Sequence, residues 1–415
     1  MEKLLQRFLN EIIKKGAVEI LTPRAVFRVG DGAQTACAIR FRDDRAALDL
    51  MRNPEFAFGE LYMDGRIELV RGTIYDALAL ITRNLARASL PPWLRLLRRT
   101  RDRLRRFKRR NVLTQARRNA EFHHDLGEQL YRLFLDDDMQ YSCAYFEEPG
   151  AALDEAQKAK ARHIAAKLLI EPDDEVLDIG CGWGGLGLYL AQTCGAKITG
   201  VTLSPRQLDV ARRRARQAQL AGSADFRLED YREIGGRFKR IVSVGMFEHV
   251  GADYYDAFFA RIASLLDGNG VALISTIGRA DGPGATNSWI TRHIFPGGHI
   301  PALSEIVPSV ERAGLIICDI EVLRLHYAET LAHWRASFAA RREEAEALYG
   351  PKFCRMWEFY LAGCECAFRF DVEVVFQLQL ANSMDAVPIT RNYIPDLEAR
   401  LRAKENAQAA SRAAP

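Results

Sequence analysis

The segment Val176–Ala191 reads VLDIGCGWGGLGLYLA, and it sets Gly180, Gly182 and Gly184 at alternate positions where an apolar run gives way to a helical pattern. Glycines at the start of a helix let a ligand approach the backbone closely. Their spacing is G-x-G-x-G rather than the G-x-G-x-x-G that wraps a dinucleotide pyrophosphate, and Asp178 stands just before them. S-adenosylmethionine carries an amino acid and a sulfonium in place of a pyrophosphate, so it suits close backbone packing plus a carboxylate. Nucleotide-binding sheets commonly end their second strand in an acidic residue that holds the ribose. Here that place reads GVTLSPRQL, where Thr202, Leu203, Ser204 and Gln207 are at hand, and hydroxyls and an amide serve as neutral partners. After the third strand, Glu229, Asp230 and Tyr231 stand where an adenine is hydrogen-bonded and stacked. The plain alternatives are a ligand-free tight turn at the glycines and a solvated loop at 229–231.

Such a site needs strands to present the turns and helices to cover them. From residue 125 onward the pattern alternates, with strands expected at Glu175–Ile179, Lys197–Thr202, Asp225–Leu228, Arg240–Val244 and Val271–Thr276 and helices at Leu186–Cys194 and Pro205–Ala221. This order predicts an α/β domain of Rossmann-like methyltransferase type, a parallel sheet with helices on both faces, over residues 125–402. Residues 1–90 mix strand-like runs (Ala25–Val29, Cys37–Phe41) with helical patterns and a turn-rich segment, FAFGELYMDGRIEL, and read as a smaller N-terminal α+β domain. Pro91 and Pro92 break the pattern, residues 91–124 read as a basic linker or helix, and 403–415 as a loose Ala-rich tail.

Composition sets the class. At 415 residues, 48% hydrophobic and 27% charged, the chain is long enough for two cores and is neither disordered nor disulfide-stapled. No apolar run reaches the roughly 20 residues of a spanning helix, and the amphipathic start MEKLLQRFLNEIIKKG lacks a signal-peptide cleavage site, so a cytoplasmic protein is expected. The eight cysteines are dispersed without metal-type pairs, which predicts reduced thiols and no zinc. Net charge is only +4, yet Arg95–Arg118 (RLLRRTRDRLRRFKRRNVLTQARR) holds about a dozen cations against Asp102 alone. That run suits an anionic membrane surface or a solvated linker helix. No aromatic-interleaved motif accompanies it, and nucleic acid is not expected.

Several longer motifs then occur in order: YSCAYFE at Tyr141–Glu147, VLDIGCGWGG, GVTLSPRQ, MFEHVG at Met246–Gly251, IFPGG at Ile294–Gly298, HYAETLAHW at His326–Trp334 and LAGCECAFR around Cys364. With them the chain resembles the cyclopropane-fatty-acyl-phospholipid synthases and, more distantly, the mycolic acid cyclopropane synthases. GELYMDGRIEL also resembles the accessory domain of the phospholipid enzymes. The resemblance implies transfer of a methylene group from S-adenosylmethionine to a cis double bond of an unsaturated phospholipid acyl chain, peripheral association with the inner face of the membrane, and a homodimer.

The resemblance also implies roles for single residues. Tyr141 and Ser142 match positions that touch the methyl donor. Cys143, Glu248, Ile277 and Tyr327 match contacts of a bicarbonate ion that acts as base in relatives. A carbocation formed on the acyl chain calls for aromatic faces, with Tyr145, Phe146, Phe247, Trp289, Phe295 and Tyr327 in or near the motifs; for each, core packing is the bland alternative. The family's HTIG segment reads STIG here, so Ser275 stands in place of a histidine and can hydrogen-bond an anion without carrying positive charge. His249, His293 and His299 are expected to be satisfied or exposed, and Cys364 to be a buried small residue. Two other readings stay open: a lipid C-methyltransferase giving a methyl-branched or unsaturated product, and a catalytically silent lipid-binding module.

Overall fold

Alternation of apolar and polar residues over short runs builds a first sheet near the N-terminus. The computed structural model describes residues 1–32, 35–85 and 127–413; the Arg95–Arg118 run lies outside them. Strands β1 (Ala17–Leu21), β2 (Val26–Gly30), β3 (Cys37–Phe41) and β4 (Ile67–Arg71) lie in the order β2-β1-β3-β4. β1 is antiparallel to β2 and parallel to β3, and β3 is antiparallel to β4. Val18, Ile20, Ile39, Phe41 and Ile67 are buried.

The segment expected to be turn-rich is instead the helix Pro54–Met63 followed by β4. Pro54 presets the first helical turn, and the turn signal is confined to Gly65, whose φ is +69°. Gly59 weakens the helix by propensity but is required by packing, because a Cβ there would come within 2.5 Å of the Trp289 indole. A later helix, Pro351–Phe370, completes this unit: the Tyr62 hydroxyl donates to Glu358 at 3.0 Å, and Arg355 Nε donates to the Met63 carbonyl at 2.8 Å. The domain expected over residues 1–90 extends further along the chain. The compact unit takes the described part of Met1–Arg109 together with Ala285–Pro296 and Ala328–Glu373.

The second unit takes the described parts of Arg110–Gly284, Gly297–Tyr327 and Val374–Pro415. Its strands are β5 (Glu175–Ile179), β6 (Lys197–Thr202), β7 (Ala224–Leu228), β8 (Phe238–Val244), β9 (Leu266–Arg279), β10 (Ile316–Leu323) and β11 (Glu373–Ala381). They form a seven-stranded sheet in the order β10-β11-β9-β8-β5-β6-β7. β5 to β9 pair in parallel, as expected for strands joined by covering helices. The sheet is nevertheless mixed, because β10 and β11 pair antiparallel. Their apolar runs set strand identity, whereas direction is set by the long helical excursion between them, which belongs to the other unit. One core, with Ile241, Phe247, Phe258, Phe259 and Ile262, covers one set of sheet side chains; another, with Ile164, Val176, Leu190, Ile198 and Phe226, covers a second set.

The C-terminal stretch corrects another expectation. Residues 403–413 continue the helix Tyr393–Ala413 rather than forming a loose tail. Glu405 on that helix is buried and accepts from Arg162 Nη1 and from the Tyr189 hydroxyl, each at 2.6 Å. Those bonds hold a segment whose composition alone gives it no core.

Candidate active site

In the parallel part of the sheet the chain runs from β5 outward through β6 and β7, then crosses to β8 on the other side of β5. The carboxyl ends of β5 and β8 therefore flank a topological switch point, where open α/β sheets leave a crevice. The glycine turn follows β5, Thr202 ends β6, Asp230 follows β7, Glu248 follows β8, and Ser275 and Ile277 lie in the last part of β9. The candidate residues are spread from Tyr141 to Tyr327 in this unit, and fold topology is what gathers them.

Within the glycine turn the three residues do different work. Gly180, Gly182 and Gly184 all have positive φ, at +84°, +54° and +82°. A Cβ on Gly180 would lie 2.9 Å from Met246 Cβ, and one on Gly184 would lie 2.9 Å from Ala211 Cβ, so these two serve close packing. A Cβ on Gly182 would meet nothing within 4 Å, which marks the open cradle. Asp178 beneath the turn is buried, and its Oδ2 has no hydrogen-bond partner. Burial raises its carboxyl to about 7, against the pull of Lys160.

Thr202 and Gln207 are buried and bonded to each other, the Thr202 hydroxyl donating to Gln207 Oε1 at 2.7 Å. Ser204 caps the helix Pro205–Gln217 through the Gln207 N–H at 3.3 Å, and Leu203 sits between them half-buried. Asp230 is buried but clamped by Arg232, Nε at 2.8 Å and Nη2 at 2.6 Å. Tyr231 turns its ring edge-on to Phe258 at 5.4 Å between centroids, and burial raises its phenol to about 12.

Glu248 lies in the short 3-10 turn Phe247–His249 just beyond β8 and is 8% exposed. Its Oε1 accepts the Ile277 N–H at 2.6 Å, while Oε2 is buried without a partner. Burial, opposed chiefly by the Ile277 N–H, raises the carboxyl to about 7. The His299 N–H donates to the Glu248 carbonyl at 2.9 Å and pins the turn. Cys143, Ser275 and Tyr327 are buried in the same unit. The Ile277 N–H is thus engaged by Glu248 itself. Burial of Ser275 leaves a neutral hydroxyl in the place where the resemblance puts a histidine.

These motifs and this sheet have counterparts among known proteins. The model of the family described as mycolic acid cyclopropane synthetase matches residues 111–378. A cyclopropane-fatty-acyl-phospholipid synthase of Escherichia coli (strain K12) is 34% identical over 376 residues, 86% of this chain and 95% of that protein. The chain belongs to the mycolic acid cyclopropane synthetase family. A probable fatty acid methyltransferase of Pseudomonas putida is 44% identical over 255 residues, 60% of this chain, and the chain spans 64% of that relative's length. Among solved structures, mycolic acid cyclopropane synthase CmaA1 complexed with SAH and CTAB superimposes with a TM-score of 0.61 at 32% identity, covering 64% of this chain and 97% of that one. This family member is an S-adenosylmethionine-dependent methyltransferase of cyclopropane synthase type. The open cradle at Gly182 and the unpartnered Asp178 oxygen fit a donor with an amino acid end.

The family motifs also contain residues whose work is packing. Phe247 is stacked on Tyr255 at 4.4 Å and edge-on to Phe258 at 5.0 Å. Tyr145 is sandwiched between His163 and His326, at 4.2 and 5.0 Å between ring centroids, and the Phe146 N–H donates to His326 Nδ1 at 3.0 Å. Trp289 and Phe295 belong to the other unit, against Phe359 and Tyr360. His293 pairs with Glu60, His299 with Glu305, and burial holds His249 below the usual histidine range. None of the eight cysteines is joined in a disulfide, and burial pushes the Cys364 thiol well up. Among the described residues no helix is long and apolar enough to cross a membrane, and no cluster suited to a metal occurs.

Sequence reasoning missed Lys160. Lys160 lies on the helix Leu153–Lys167, on which Gln157, Lys160, His163 and Lys167 are all buried. Their spacing at one helical stripe was the available signal.

Proposed function

We propose that this enzyme adds a one-carbon unit from S-adenosylmethionine across the cis double bond of an unsaturated acyl chain in membrane phospholipid and closes a cyclopropane ring. The observation that carries the reading is Glu248, a buried carboxylate with one oxygen fixed and the other unpartnered, whose neighbour Met246 packs on Gly180 of the glycine turn. The E. coli synthase, aligned over 95% of its length, supports a phospholipid rather than another acyl carrier.

The donor supplies an electrophilic methyl on a sulfonium. The alkene offers no charge to grip, so the chain's own task is to hold both partners in line and exclude water. Gly180, Gly182 and Gly184 with Asp178 would seat the donor, Tyr141 and Ser142 would face it, and Thr202, Leu203, Gln207, Asp230 and Tyr231 would line its nucleoside end. Transfer leaves positive charge on the acyl chain. Both faces of Tyr145 are covered by histidine rings, and Tyr327 would stabilise that charge instead. Ring closure removes a proton from the added methyl group. Cys143, Glu248 and Tyr327 would hold a bicarbonate, which would supply the base. Glu248 orients the acceptor, because its fixed Oε1 leaves only Oε2 to engage it.

A second reading rests on Ser275, a neutral residue where a histidine would balance an anion, and on the fatty acid methyltransferase from P. putida. There the proton leaves the acyl chain instead and the product is branched. One experiment separates the two. Purified protein is incubated with trideuteriomethyl donor and vesicles of unsaturated phospholipid, and the acyl chains are analysed by mass spectrometry. The ring keeps all but one of the deuterons and resists mild hydrogenation. A branched alkene keeps all of them and takes up hydrogen, and that result would replace the cyclopropane reading.

The bilayer must also be reached. Arg95–Arg118 is proposed to dock to anionic headgroups, with each cation contributing on the order of 1 kcal/mol before screening. Changing five of these arginines to glutamine should lower co-sedimentation with anionic vesicles at least about 10-fold while leaving neutral vesicles unaffected. Unchanged sedimentation would remove this role.

A further inference from the structure

Lys160 is a buried cation that no family motif explains. The helix Leu153–Lys167 carries it inward until 1% of the residue is exposed. Its Nζ donates to Gln140 Oε1 at 2.7 Å and to Ser142 Oγ at 2.9 Å. Both acceptors are neutral, and no carboxylate of the described residues lies within ion-pair distance. An ammonium has three donors, so one remains. Leaving a buried charge without an opposite partner is costly, and burial lowers Lys160 to about 8 although Asp136, Cys143, Asp138 and Asp178 pull the other way. A neutral donor would tie Gln140 to Ser142 without burying a charge. The charge therefore has another use.

The neighbours indicate what it is. Ser142 Oγ accepts from Lys160, so its own hydroxyl hydrogen is turned toward a different acceptor, with a cation behind it. The 138–140 loop packs against the glycine turn, since a Cβ on Gly185 would come within 2.6 Å of the Asp138 carbonyl. Asp178 under the same turn keeps a buried oxygen unpartnered. A cation and an anion, each with unspent hydrogen-bonding capacity, thus meet at a backbone with room for a ligand at Gly182. An α-amino acid end presents the complementary pair of charges.

We propose that Lys160 is a positioning residue that, through Ser142, answers the carboxylate of the methyl donor's amino acid end, while Asp178 answers its ammonium. This rests on the reading of the glycine turn as the donor site. The test is calorimetric binding of S-adenosylhomocysteine and of its decarboxylated analogue to the full chain and to Lys160→Met. The variant should lose about 30-fold or more in affinity for S-adenosylhomocysteine, as when one partner of a buried charge pair is removed, and should bind the decarboxylated analogue nearly as well as the unaltered protein does. Ser142→Ala should narrow the discrimination in part. Equal weakening for both ligands would make Lys160 a scaffold for the loop and overturn the proposal, as would no weakening for either. Should Lys160→Met melt well below the unaltered protein, Lys160→Gln, which keeps N–H donors on the side chain without the charge, takes its place under the same criteria. If the unaltered protein binds neither ligand, the donor-site reading itself fails.

Discussion

Glu248→Gln should abolish most turnover, by about 10²-fold or more, because the base that Glu248 holds and orients supplies a contribution of that order, and should at the same time raise thermal stability at pH 8. Few substitutions move activity and stability in opposite directions, and the combination marks a group kept for chemistry at the fold's expense. Glutamine preserves the acceptor that the Ile277 N–H uses at 2.6 Å. What it removes is the charge at the unpartnered Oε2. The folded-state carboxyl is raised to about 7 from the ordinary glutamate value near 4.5, so the folded protein holds this proton more tightly than the unfolded chain does. The contribution of Glu248 to stability is therefore fully present below about pH 4.5 and lost as pH rises through about 7. At pH 8 the variant should be the more stable protein by roughly 1–3 kcal/mol, and the difference should shrink toward zero as the pH is lowered to 5. Melts across that range, paired with the labelled-donor assay, check both halves. A variant that is inactive but less stable at pH 8 would show Glu248 to be a structural carboxylate.

Glu405→Ala carries the largest expected cost in stability. Arg162 and Glu405 side chains are each 4% exposed and meet at 2.6 Å. Truncating one partner leaves the other buried, a loss of about 3–5 kcal/mol for pairs of this kind. Arg162 keeps a second bond to Glu147 at 3.0 Å, and the Tyr189 hydroxyl loses its acceptor, so the lower part of that range is expected. Urea or thermal unfolding followed by tryptophan fluorescence would show it. A change under about 0.5 kcal/mol, the level of an ordinary surface substitution, would mean that the final helix adds nothing to the core.

The same two sites show what could be read beforehand. β5 and β6 are legible to the residue because each is an apolar run bounded by charged and glycine-rich stretches, and the glycine turn is legible because only glycine accepts its positive φ. Glu248 was legible through its place after a strand. Lys160, Arg162 and Glu405 were not, since a lysine, an arginine and a glutamate on helices read as solvated until the long-range packing is known. The helix Pro54–Met63 was hidden by a glycine whose reason is the Trp289 indole, distant in sequence. The direction of β10 against β11 likewise depends on a connection that local periodicity does not record.

That dependence on remote chain bears on the order of events during synthesis. The sheet of β1 to β4 leaves the ribosome well before the helix Pro351–Phe370 that supplies partners to Tyr62 and Met63. At roughly 5–20 residues per second, the earliest-made apolar surface waits tens of seconds for its cover. The nascent protein should recruit holding chaperones through its N-terminal segment during that interval, and a fragment ending before residue 351 should aggregate rather than accumulate as a folded piece.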